Sequence, residues 1–288
     1  MEAVPRQLRE AALAEKRRFF PRIEGKSRIF SFTLLSLAFM LGIVIGSLYS
    51  LFAISPDLFT ATGKLLSDES FRSALSRTLK ISLIVAAVST ILSYPTAIYI
   101  NSIRSSKARR VALSLVWLPV MVNPIVRAYG WMIILGRYGI INSILSALRL
   151  GTAKILYTDT AIVFGLVELF TPFLISSIYS SLSSLNEELL LAARTLGAGA
   201  FRTFLDVVIP LTSKGYLFGL TVIIAGCFTA YTTPVLLGGA MNATLSMLLY
   251  EYVSIFLDWR MAVALSLVML AIVISIMIVA RIAVRRRK

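Results

Sequence analysis

The sequence has no histidine and a single cysteine, Cys227, in 288 residues. Without histidine there is no imidazole general base, no histidine-ligated haem and no histidine-based zinc site. One cysteine excludes an internal disulfide and any multi-cysteine metal site. Charge is scarce as well: 15% of residues are charged, where soluble domains carry about 25%. No phosphate-binding loop is present, because Gly25-Lys26 and Gly63-Lys64 both lack the earlier glycine of G-x-x-x-x-G-K. No H-E-x-x-H, G-x-S-x-G or paired carboxylate points to hydrolysis. If the chain performs driven work, the energy comes from another chain or from an ion gradient.

Apolar residues are abundant: 58% of the chain, with a mean hydropathy of +0.84. That composition belongs to an integral membrane protein. The run 29–54 holds no charge over 26 residues. It exceeds the roughly 7–15 residues of a signal-peptide core and is followed by no small-residue cleavage site, so it is expected to be a retained first span. Five more stretches have the length of about 20 residues that a bilayer core demands: 79–103, 111–135, 160–182, 215–237 and 261–280. The third carries Pro119, Pro124 and Arg127, and is expected to be broken or to lie partly at the interface. The result is an all-α polytopic membrane protein with six transmembrane helices.

Six spans put both termini on one side, and the basic residues choose which. Residues 1–28 carry 8 Lys and Arg, 104–110 carry 4, 183–214 carry 3 and the stretch from Arg281 carries 5. The alternate segments 55–77, 136–159 and 238–260 carry 3, 3 and 1. The positive-inside rule places both termini in the cytoplasm. The basic end at 283–288 is then a topology signal, not a nucleic-acid patch. Trp117, Tyr129, Trp131, Tyr138, Tyr157, Tyr250, Tyr252 and Trp259 read as an interfacial aromatic belt, with Trp117 the poorest fit.

One segment breaks the apolar pattern. "LLAARTLGAGAFRTFLDVVIPL", Leu190 to Leu211, lies on the predicted cytoplasmic side. Ser184 and Glu187 fit a capping box at its start. Leu185, Leu189, Ala192, Ala193 and Leu196 then form an apolar stripe. Gly197 is placed to stop the first helix, and Phe201, Phe204, Leu205 and Val208 form a second stripe ahead of Pro210. A lipid-lying helix would present bulky side chains throughout. Ala192, Ala193 and Gly197 instead allow a partner backbone to approach, so 184–210 reads as a docking element for a soluble partner.

A-A-x-x-x-G followed by Ile209-Pro210 resembles the EAA loop of ABC importer permeases. "LSYPTAIYI" (Leu92–Ile100), "NPIVRAYGW" (Asn123–Trp131), "GRYGIINSIL" (Gly136–Leu145), "TPVLLGG" (Thr233–Gly239) and "DWRMAVALS" (Asp258–Ser266) resemble the spermidine/putrescine-type branch of that family. The resemblance implies the type I ABC importer fold for 29–282 and a bacterial inner-membrane location. It also implies four kinds of partner: a second permease subunit, two ATPase subunits that bind ATP and Mg, a periplasmic or lipid-anchored substrate-binding protein, and membrane lipid. The coupling residues it implies are Glu187, Glu188, Leu191, Ala192, Ala193, Arg194, Gly197, Ala198, Phe201 and Pro210. Where the family carries a glutamate, this chain has Leu191, with Glu187 and Glu188 one turn earlier.

Glu168 is the only acid inside a predicted span, about 12 Å below its outer end. An intramembrane carboxylate is costly and is by default a functional candidate. Pro172 removes the amide that would bond the Glu168 carbonyl. Glu168 is therefore either a pathway residue or one half of a structural ion pair with Arg127. Asn123, Arg127 and Tyr129 are candidates for the outer mouth of a pore, and Tyr231 and Thr232 for a polar patch in the fifth span. If the cargo is a polyamine, one buried acid is few for several ammonium groups, and tyrosine faces would add about 0.5–2 kcal/mol each. Two rivals remain: a secondary transporter driven by ions through Glu168, and a membrane scaffold that recruits a partner without transport.

Overall fold

The computed structural model describes residues 33–43, 45–46, 49, 57–185, 195, 197 and 199–285. The expected first span is described only in part, chiefly as the apolar helix α1 (Thr33–Ile43). It belongs to a unit ending at Pro56, and the helices from Asp57 onward form a second unit. In that second unit every described element is helical: α2 (Leu58–Ser67), α3 (Glu69–Ser102), α4 (Ser106–Met121), α5 (Pro124–Leu135) and α6 (Ile140–Ala147) come first. They are followed by α7 (Asp159–Ser183), α8 (Ile209–Thr229), α9 (Leu245–Tyr250) and α10 (Trp259–Arg285).

Side-chain caps set many of the boundaries. Asp68 accepts from the Ser70 amide at 3.0 Å and starts α3. Asn123 accepts from Ile125 at 2.9 Å, with Pro124 in the first turn of α5. Thr158 caps α7, and Asp258 accepts from the amides of Arg260 and Met261 to start α10. Each cap occupies amides that helix geometry leaves without partners. At the far end of α7, Ser184 closes that helix, its hydroxyl donating to the Ser181 carbonyl at 2.8 Å; Glu187, the other half of the expected capping box, lies outside the described residues.

Among the described residues, four helical stretches are long and apolar enough to cross a membrane: α3, α7, Phe201–Thr229 and α10. The expected third span is broken into α4 and α5, with α4 bent by 91° from the Pro124–Ala147 stretch. Pro124 and the Asn123 cap force that break, since proline disfavours helix at the residue before it. The second short helix expected in 184–210 also differs from expectation. Ala200–Thr203 runs through a wide turn, Phe204–Val208, straight into α8. In an α-helix the Pro210 ring would clash with the Asp206 carbonyl, and the wider turn, where the Ile209 amide reaches Phe204, relieves it.

At the other end of α8 the helix stops at Thr229, eight residues before the expected end of the fifth span. Ser246 donates to the Ala230 carbonyl at 2.6 Å, and a second wide turn, Pro234–Gly238, follows. The helix therefore ends inside the apolar run, because Pro234 supplies no amide to Ala230 and Ser246 takes its place.

α7 is the central element, and its core neighbours are α3 and α8. Ile81, Val85 and Ala97 of α3 meet Leu166, Leu174 and Ile178 of α7 and Ile223 and Cys227 of α8. Gly215, Gly219 and Gly226 put one bare face of α8 against Ser177 and Ser181, Leu174, and the Phe170 ring. A Cβ at Gly219 would fall 2.9 Å from the Leu174 Cα, so the two backbones touch. Small residues at such spacing are how membrane helices pack without a hydrophobic driving force. A second core joins Leu65, Phe71, Phe228, Leu245, Leu248 and Leu265 from α2, α3, α8, α9 and α10.

The three segments expected on the outer side meet at one end of the bundle. Arg77 pairs with Asp159 at 3.3 Å and donates to the Met241 carbonyl at 3.3 Å. The Tyr157 amide donates to Leu237, and Asn242 donates to the Tyr157 carbonyl.

Candidate functional site

The Gly226 contact with Phe170 and the Gly165 contact with Thr233 align α7 with the chain beyond α8. The break at Ala230–Tyr231 thus lies at the depth of Glu168. Two acidic environments flank this level.

The first is built from two i, i+4 pairs that face each other. On α7, Phe164 and Glu168 are one turn apart; on α5, so are Arg127 and Trp131. Trp131 stacks on Phe164 with centroids 6.0 Å apart and planes at 28°. The Trp131 Nε1 donates to Glu168 Oε2 at 2.8 Å, and Arg127 Nε approaches the same oxygen at 3.4 Å. Arg127 Nη1 also donates to the Pro119 carbonyl at 3.2 Å. That carbonyl lost its helical partner when α4 ended at Met121, so the guanidinium closes the broken span as well as the ion pair. The Arg127 side chain is 6% exposed and the Glu168 side chain 25%. Arg127 Nη2 is buried without a hydrogen-bond partner among the described residues.

The second environment lies at the break in the fifth span. Tyr231 packs its ring on Tyr250 of α9, centroids 4.7 Å apart and planes at 33°. Glu251 follows Tyr250 directly and is half-buried. Among the described residues Glu251 takes part in no ion pair. In the first turn of α9, Ser246 anchors to the Ala230 carbonyl, and just beyond Glu251 the Tyr252 hydroxyl donates to Asp68 Oδ2 at 3.0 Å. The short helix is thereby pinned at both ends.

Not every expected pore residue gathers at these points. Glu168 and Arg127 are brought together. Asn123 serves as the cap of α5. Tyr129 is 54% exposed on the α5 surface, while its neighbours Arg127 and Ala128 are buried. Tyr231 and Thr232 lie in the break, but only Tyr231 makes a ring contact. Sequence reasoning assigned Trp131 and Tyr250 to the aromatic belt. The i, i+4 relation of Trp131 to Arg127 was the available signal for the first, and nothing local signals the second. Trp117 donates to Ser176 Oγ at 2.9 Å and packs edge-on against Phe173. It sits on a cleft of about 370 Å³ lined also by Ser177, Ser180 and Ser181.

At the end expected to face the cytoplasm, Gly197 adopts φ +82°, the left-handed region that a glycine elbow requires. Phe201 is 74% exposed, and Pro210 is exposed in the first turn of α8. Phe204 packs edge-on against Tyr94, whose hydroxyl lies 3.3 Å from that of Thr212, tying this stretch to α3. Glu187, Glu188, Leu191, Ala192, Ala193, Arg194 and Ala198 lie outside the described residues.

Known proteins share both the sequence and the shape. The spermidine/putrescine transport system permease protein PotB of Escherichia coli (strain K12) is 31% identical over 217 residues, 74% of this chain and 78% of that protein. Its namesake from Haemophilus influenzae is 34% identical over 197 residues, covering 68% of this chain and 67% of that protein. Among solved structures, a bacterial ABC transporter that imports the acidic polysaccharide alginate superimposes with a TM-score of 0.73 at 18% identity, over 93% of this chain and 99% of that one. The MetNI methionine ABC transporter superimposes with a TM-score of 0.57 at 17% identity, over 77% and 99% of the two chains. The fold is therefore that of ABC importer permeases, in a multi-pass protein of the bacterial inner membrane. Residues 91–288 match the profile of the binding-protein-dependent transport system inner membrane component, and the chain belongs to that family.

Proposed function

We propose that this permease moves a small cationic, polyamine-like solute into the cytoplasm, driven by ATP hydrolysis on separate ATPase subunits. The observation that carries the reading is the 31–34% identity to spermidine/putrescine permeases over two thirds or more of both chains. In the proposed assembly the chain pairs with a second permease, two ATPase subunits and a periplasmic or lipid-anchored binding protein. ATP and Mg belong to the ATPases. Residues 184–210 seat in the ATPase, with Glu187, Glu188, Leu191, Ala192, Ala193, Arg194, Gly197, Ala198, Phe201 and Pro210 at the contact. The left-handed Gly197 and the exposed Phe201 ring support that role. Coupling then requires that the ATPases grip the outward-facing and inward-facing states differently.

An ion-coupled mechanism through Glu168 has less support, since Trp131 and Arg127 already occupy one of its carboxylate oxygens. Uptake into proteoliposomes containing the full complex tests the choice. Labelled spermidine should accumulate when the membrane potential is collapsed and stop when ATP is withdrawn. Uptake that follows the potential and ignores ATP refutes the reading. Gly197→Val places a β-branched residue at φ +82°. It should abolish uptake while leaving membrane insertion intact, and undiminished uptake would remove 184–210 from the coupling path.

A further inference from the structure

We infer that Glu251, together with the Tyr231–Tyr250 ring pair, forms the receiving site for a primary ammonium group of the solute, at the break in the fifth span. The inference rests on the proposed amine cargo and locates where that cargo is first held. A cation leaving water needs compensating charge, a polarizable wall and a rigid mount, and the three occur together here.

Glu251 supplies the charge: it is half-buried and has no ion-pair partner among the described residues. The rings supply the wall. At 4.7 Å and 33°, Tyr231 and Tyr250 are close enough to act as one surface, and their faces carry the negative quadrupole that attracts ammonium groups. Tyr250 is 46% exposed, so a ligand can reach the pair without opening the core. The mount is α9, whose base is held by Ser246 on the Ala230 carbonyl and whose upper end is held by Tyr252 on Asp68. Such pinning fixes the backbone that carries Tyr250 and Glu251, so less of it has to be ordered when a ligand binds.

Glu168 is the poorer receiver despite its depth. Its Oε2 already accepts from Trp131 and faces Arg127, whose positive charge repels an incoming cation. An ammonium group there would have to displace a guanidinium that also holds the end of α4.

The test is spermidine uptake by the complete complex in proteoliposomes, across a range of loaded binding protein. Glu251→Gln should raise the half-saturating concentration about tenfold, and Glu251→Asp should recover most of the loss. Tyr250→Leu should lower uptake about fivefold, and Tyr250→Phe, which keeps the ring face, should restore it. Co-purification of the ATPase subunits measures assembly of each variant. If Glu251→Gln assembles and transports like the parent, the site is overturned while the proposed function stands. If Glu251→Gln does not assemble, the tyrosine variants decide, and equal uptake by Tyr250→Leu and Tyr250→Phe overturns the site. A parent complex that hydrolyses ATP with its binding protein yet moves no amine overturns the proposed function and the site with it.

Discussion

Glu168 and Glu251 are both half-buried carboxylates beside aromatic rings, and they differ in the cations around them. Around Glu168 the protein supplies its own: Arg127 approaches at 3.4 Å and Trp131 donates at 2.8 Å. Around Glu251 it supplies none among the described residues, only the tyrosine pair. The same residue type therefore serves different ends. In one place charge closes a broken helix onto its neighbour; in the other it is left for a ligand. Glu168 and the break at Ala230–Tyr231 share one depth, so the proposed receiving role of Glu251 turns on its lack of a built-in counter-ion among the described residues.

The comparison breaks most readily at Arg127. Arg127→Met leaves Glu168 without its counter-ion and the Pro119 carbonyl without its donor. Breaking one side of a buried pair costs about 3–5 kcal/mol, and the thermal midpoint of the purified complex should fall accordingly. Arg127→Met combined with Glu168→Gln removes both charges and should recover most of that loss, as neutralised pairs do elsewhere. If the double variant is stable and still transports spermidine, the pair is structural. If it is stable and spermidine uptake collapses, Glu168 lies on the path after all.

The long apolar helices were legible because a membrane span is a composition, visible in any window of 20 residues. The break in the third span was legible too, since Pro119 and Pro124 cannot sit quietly in one helix. The end of α8 at Thr229 was not, because Val235, Leu236 and Leu237 keep the run apolar while Ser246, distant in sequence, captures the Ala230 carbonyl. The Arg127–Glu168 pair could be named in advance from scarcity alone: one acid and one arginine in the spans have few other partners. Tyr250 and Glu251 could not, because a belt tyrosine and a site tyrosine are the same letter until Tyr231 is seen against the ring. The left-handed backbone at Gly197 was legible from its neighbours, as glycine is the residue that tolerates φ +82°, while the helix expected before it lies outside the described residues.

A smaller effect separates the two regions by the bond each tyrosine or tryptophan makes. Trp131→Phe keeps the ring on Phe164 but removes the hydrogen bond to Glu168 Oε2. A hydrogen bond to a charged group contributes about 1.5–3 kcal/mol, so the thermal midpoint should drop by less than for Arg127→Met. The half-saturating concentration for spermidine should stay where it was, because the altered residue belongs to the structural pair. A shift in that concentration with no loss of stability would erase the distinction between the two acids.

The smallest effect is expected at Tyr231. Tyr231→Phe deletes a hydroxyl and preserves the face that lies 4.7 Å from Tyr250. If the ring pair works through its quadrupole, the change costs less than about twofold in spermidine uptake. Tyr231→Leu keeps apolar bulk and loses the quadrupole, and should reduce uptake of spermidine more than stability. If Phe and Leu at 231 behave alike, the rings only fill space and Glu251 acts without them. Should Phe prove as damaging as removing Glu251, the hydroxyl is the contact, and recognition at the break runs through hydrogen bonds instead of ring faces.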